Sequence, residues 1–174
     1  MSSKTRDLIF WILLALLPGV LLLVIIVILP SMSFFRARTL YDSDINWLLK
    51  TGEYIYDSGF KLPGTDIYSF THTETPWILY QWLYELILYL FYSLAGFSGM
   101  GLLSTITIGL TFTILFINLR LQRIYTFYIS IAIIAGLWIT TINWYARPAS
   151  MTYLFTALLL LLFTLAEKKS SGFI

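Results

Sequence analysis

Apolar residues fall in long runs along this chain, interrupted by one polar-bearing stretch between residues 31 and 75. Leu8–Leu29 contains no charged residue. At 1.5 Å per residue it would reach roughly 33 Å as a helix, enough to cross a bilayer core. Pro18-Gly19 in its middle predicts a kink that neighbouring helices can absorb. A secretory signal peptide would have a shorter apolar region and a small-residue cleavage site, so a retained helix is expected. Three more apolar runs follow, Gly99–Asn118, Tyr125–Trp144 and Met151–Ala166.

Between the first run and the second the pattern changes period. Ile45, Leu48, Leu49, Gly52, Ile55 and Tyr56 recur at helical spacing, with Asn46, Lys50, Glu53 and Asp57 on the other face. This predicts a short amphipathic helix, capped by Asp42 or Ser43 and stopped by Gly59. Pro63-Gly64-Thr65-Asp66 predicts a turn, and Ile67–Thr71 an extended segment. Thr75-Pro76 carries the signature of a helix start, predicting a second helix to about Ala95. That helix is crowded with Trp77, Tyr80, Trp82, Tyr84, Tyr89, Phe91 and Tyr92, residue types that favour the membrane interface.

Composition narrows the class. Of 174 residues 59% are hydrophobic and 11% charged, more apolar surface than a soluble domain of this length could hide, so an integral membrane protein is expected. The chain has no cysteine and one histidine, His72, which excludes thiol chemistry and a multi-histidine metal centre within one chain. The net charge is +2, without a basic cluster that would suit nucleic acid.

Charge also bears on topology. Placing residues 76–95 in the interface leaves four spans, with Lys4, Arg6, Arg120, Arg123, Lys168 and Lys169 all on the cytoplasmic side. The expected architecture is therefore an all-α integral membrane domain over residues 1–174. It has about four transmembrane helices (8–30, 99–118, 125–144, 151–166) and both termini in the cytoplasm. An extracytoplasmic loop, 31–97, carries the amphipathic helix and the interfacial aromatic helix.

The densest chemistry lies in Tyr41–Asp57, where four acidic residues follow the first span. Asp42 and Asp44 sit where a helix leaving the bilayer meets water, a position that also suits simple helix-capping acids. Glu85 falls in an apolar helix, where a lone carboxylate is costly. It is expected to face a site or to pair with Arg147, Arg36 or Arg38. Gln81, four residues earlier, shares its face. Lys50, Lys61, Glu53, Asp57 and His72 read as solvated.

The ordered set Asp42-x-Asp44-x-x-Trp47, Thr51-Gly52-Glu53-Tyr54-Ile55, Pro63-x-x-Asp66-x-Tyr68-Ser69-Phe70-Thr71, Pro76-Trp77, Trp82-Leu83-x-Glu85 and Ala146-Arg147-Pro148 runs from residue 42 to 148, and the likeness it carries covers about residues 8–166. In this order it resembles the N-terminal part of bacterial GT-C-type membrane glycosyltransferases, the class that includes protein O-mannosyltransferases and lipid A aminoarabinose transferases. The chain departs from the pattern at three places: Leu48 after Trp47, Tyr80-Gln81 where a histidine-glutamate pair is common, and Ala149 after Arg147-Pro148.

The resemblance implies a polyprenyl-phosphate sugar donor, transfer at the outer face of the bacterial inner membrane, and catalytic acids in the first outer loop. Asp44 is then the expected general base and Asp42 its partner or the ligand of a divalent cation. Arg147 is expected to hold the donor phosphate through its guanidinium fork, with Glu85, Gln81 and Trp82 in support. Such enzymes have eight or more spans, so this sequence is expected to be either a module completed by further spans or other membrane subunits, or a short relative. The alternative function is a non-catalytic subunit of a larger membrane complex built on the same scaffold.

Overall fold

The computed structural model describes residues 44–72, 75–140 and 144–170. The expected first span, Asp42, Ser43, Arg36 and Arg38 lie outside the described residues. Five helices carry the described chain: α1 (Ile45–Asp57), α2 (Trp82–Ala95), α3 (Phe97–Leu121), α4 (Thr126–Thr140) and α5 (Ala149–Ser170). No strand occurs among the described residues.

α1 buries Ile45, Leu48, Gly52 and Ile55 of the face its spacing predicts, and Thr51 beside them. Tyr56 is the departure, half-exposed beside Tyr89 rather than in the core. Asp44 occupies the N-cap position, but its side chain makes no capping bond. Gly59 ends the helix with φ 72°, and the Phe60 amide reaches back to the Ile55 carbonyl at 2.8 Å. At Gly52 the backbones of α1 and α2 nearly touch: a Cβ there would lie 2.2 Å from the Glu85 carbonyl oxygen. Only glycine permits this crossing.

The second helix does not begin at Thr75-Pro76 as its capping signature predicts. The Asp66 amide donates to the Thr75 carbonyl at 3.0 Å and the Trp77 amide to the Gly64 carbonyl at 3.1 Å. Thr65 and Pro76 thus pair in an antiparallel bridge. With those backbone groups committed across the turn, the helix starts only at Trp82. Trp77 and Tyr80 belong to the loop. Asp66 holds the turn by accepting from the Tyr68 and Ser69 amides at 2.8 and 3.0 Å, and the Ser69 hydroxyl, together with these two amides, holds its carboxyl below the usual carboxylate range.

α2 turns into α3 at Gly96, whose φ of 59° redirects the chain in one residue. The corner is tight enough that a Cβ on Gly99 would collide with the Phe91 carbonyl. α1 and α2 pack on the start of α3 through Ile45, Leu48, Leu88, Met100 and Leu103, with Ala146 closing the cluster. A second cluster joins Ile108 and Phe112 of α3 to Ile129, Ile133 and Leu137 of α4 and to Trp144.

Two described helices are long and apolar enough to cross a membrane, α3 with 25 residues and α5 with 22. α4 has 15 residues and α2 14, about 22 Å of helix each at most. The expected span 125–144 is therefore helical only over 126–140, with 141–143 outside the described residues. Three hydroxyls inside the apolar helices fold back on their own backbone, Thr107 to Leu103, Thr111 to Thr107 and Ser130 to Thr126, which satisfies them without water. Gln122, just after α3, donates to Thr164 near the end of α5 at 3.4 Å. The C-terminal ends of α3 and α5 therefore lie together, and with them Arg120, Arg123, Lys168 and Lys169. Arg147 stands at the opposite end of α5, about 32 Å away along the helix.

Candidate functional site

At that opposite end the N-termini of α1, α2 and α5 converge. Asp44 is delivered by the amphipathic helix and Arg147 by the link that enters α5. Pro148 lacks an amide hydrogen, and the Ser150 hydroxyl and amide both donate to the Arg147 carbonyl, at 2.7 and 3.0 Å. These bonds fix the backbone from which the arginine projects. One guanidinium nitrogen of Arg147 lies 3.1 Å from an Asp44 carboxylate oxygen, with both side chains about half exposed. An exposed pair of this kind contributes at most about 1 kcal/mol to stability. It is weak enough to be exchanged for another anion.

The pair sits in a cleft of about 270 Å³ lined also by Trp47, Leu48, Tyr80, Gln81, Pro148 and Ala149. Tyr80, Gln81, Pro148 and Ala149 are shared with a second cavity, of about 510 Å³, that runs between α2 and α5 past Leu83, Ile87, Met151 and Phe155. One continuous groove results, with an ion pair at one end and apolar walls along its length. Such a shape suits an amphiphile with an anionic head.

Gln81, at the N-cap of α2, lines both cavities. Trp82 is partly exposed and lines neither. Glu85 departs from expectation: it does not pair with Arg147. It is fully buried where α1 crosses α2, and neither carboxylate oxygen has a well-formed hydrogen bond. Burial pushes its pKa up to about 7, and the nearby Gln81 side chain offsets only part of that. The carboxyl is thus a structural acid behind the cleft rather than a group within it.

Among the described residues no three metal-ligating side chains converge, and Asp44 meets a cation rather than a second carboxylate. The described donor set does not fit a divalent cation. Asp42, the other expected ligand, lies outside the described residues. Tyr80, expected only as an interfacial aromatic, is the residue the structure adds to the cleft. It is exposed, and it stands at the junction of the two cavities. Its position immediately before Gln81 in the motif was the available signal.

Compared with protein-family models, curated proteins and solved structures, the chain matches none.

Proposed function

We propose that the chain is a GT-C-like membrane glycosyltransferase, or its N-terminal module, transferring a sugar from a polyprenyl-phosphate donor at the outer face of the membrane. One observation carries this reading. The Asp44–Arg147 pair lies at the polar end of an apolar groove between α2 and α5. The basic ends of α3 and α5 lie about a bilayer thickness away, which supports four spans with the cleft on the extracytoplasmic side.

In this mechanism the donor phosphate displaces Asp44 from the Arg147 guanidinium, and the prenyl chain occupies the groove. The freed carboxylate takes the proton from the acceptor hydroxyl. The acceptor oxygen attacks the anomeric carbon, the bond from that carbon to the phosphate oxygen breaks, and polyprenyl phosphate leaves with the bonding pair held by Arg147. The configuration inverts. Gln81 and Tyr80 border the place where the sugar would lie.

The test is Asp44→Asn, assayed for sugar transfer from a polyprenyl-phosphate donor in membranes. Loss of a general base lowers kcat by about 100-fold or more, and KM stays level or falls because Asp44 no longer competes for Arg147. Undiminished transfer would remove Asp44 as the base. No transfer by the wild-type protein would instead leave the scaffold as a non-catalytic subunit.

A further inference from the structure

We propose that the exposed face of α1 is an acceptor trough for a neutral, hydroxyl-rich glycan, leading to Asp44; this rests on the glycosyltransferase reading above. Lys50, Glu53, Tyr54, Asp57 and Ser58 recur at three- and four-residue spacing on one side of the helix. Ile67 and Tyr68, from the loop that follows, form the opposite wall of an open cavity of about 650 Å³.

The aromatic wall is held in place. The Tyr68 hydroxyl lies 2.7 Å from the Thr51 hydroxyl and 3.4 Å from the Trp47 carbonyl. Its ring meets Trp77 edge-on, with centroids 5.8 Å apart. Tyr68 nevertheless keeps 44% of its surface exposed and Tyr54 keeps 40%. The Tyr68 ring, fixed at its hydroxyl and open elsewhere, offers a stacking surface with little ordering left to pay, and the exposed Tyr54 ring stands on the facing wall. Sugar rings present an apolar C–H face to such a surface and hydroxyls around their rim. Glu53, Asp57 and Lys50 supply acceptors and a donor for those hydroxyls.

Charge distinguishes this trough from the donor groove. Lys50 pairs with Glu53, so with Asp57 the lining carries net negative charge, which disfavours phosphates and anionic lipids. Trp47 connects the two places: it lines the Asp44–Arg147 cleft, and its carbonyl meets Tyr68. Lys50 follows Asp44 by about 9 Å along the helix axis. Lys50 also lies about a third of a turn around the helix from Asp44, so a glycan in the trough would reach the base by passing over Trp47, which lies between them.

The experiment is saturation-transfer NMR on the full chain in detergent, with mannotetraose and chitotetraose as probes and a neutral Ser/Thr-rich peptide as the competing class. Tetrasaccharide binding is expected, weakened at least tenfold by Tyr54→Ala, kept within twofold by Tyr54→Phe, and unaffected by Arg147→Gln. The proposal is overturned if neither tetrasaccharide binds, if Tyr54→Ala binds as the wild type does, or if only the peptide binds. Asp44→Asn separates the two readings. A catalytic defect without glycan binding sinks the trough alone, and glycan binding without a catalytic defect sinks the transfer mechanism alone.

Discussion

Replacing Glu85 by glutamine removes a titrating proton from the interface of α1 and α2 while nearly preserving shape. An ordinary glutamate has a pKa of 4.5, and in the folded protein burial pushes Glu85 up to about 7. At 1.36 kcal/mol per pH unit that gap corresponds to about 3 kcal/mol. Below pH 4.5 both folded and unfolded chains carry the proton, and the group costs nothing. As pH rises toward 7 the folded state binds more proton than the unfolded state, so stability falls, and above 7 the full cost is present. At pH 5 the cost is under about 1 kcal/mol by the same linkage. Glutamine does not titrate, and any penalty from its buried amide is the same at every pH. The gain of Glu85→Gln over wild type should therefore grow by about 2–3 kcal/mol between pH 5 and pH 8. For a chain of this length that is a relative rise in Tm of about 5–10 °C. Thermal unfolding in detergent across that range measures it. A Tm difference that stays constant from pH 5 to pH 8 would refute the burial of an unpaired carboxyl at this position.

Two further substitutions probe the same helix pair. Gly52→Ala would push a Cβ against the Glu85 carbonyl, so α1 must lift from α2. A loss of about 1–3 kcal/mol and faster proteolysis within 58–80 are expected, and an unchanged Tm would contradict the close crossing. Thr51→Val keeps shape but leaves the Tyr68 hydroxyl with only the longer bond to the Trp47 carbonyl. It should cost about 1 kcal/mol and speed hydrogen exchange at the Tyr68 amide, which a merely apolar role for Thr51 would not do.

The amphipathic face of α1 and the apolar runs of α3 and α5 were legible in the sequence because their periodicity is set by what each residue buries. The start of α2 was not. Thr75-Pro76 is a sound local capping signal, but pairing with Gly64 and Asp66 across the turn uses the backbone first. Asp44 and Arg147 could be singled out from residue type and position, whereas their 3.1 Å approach is a product of how α1 and the segment entering α5 converge. Glu85 misled for the opposite reason. Sequence shows that a carboxylate in an apolar helix needs relief, and here relief comes from raised proton affinity rather than from a cation. The trough on α1 stayed hidden because Lys50, Glu53 and Asp57 look like any solvated face until Tyr68 arrives from another segment.

Retention of a lipid-linked phosphate by Arg147 is the claim on which the functional proposal turns. Binding of a polyprenyl phosphate, without sugar, to the purified protein and to Arg147→Gln and Arg147→Lys measures it directly. Glutamine should raise Kd at least tenfold, a loss of about 1.4 kcal/mol or more. Lysine, which keeps the charge but lacks the fork, should fall between the two. Equal affinity in the wild type and Arg147→Gln would contradict the assignment of the Asp44–Arg147 cleft as the head-group site.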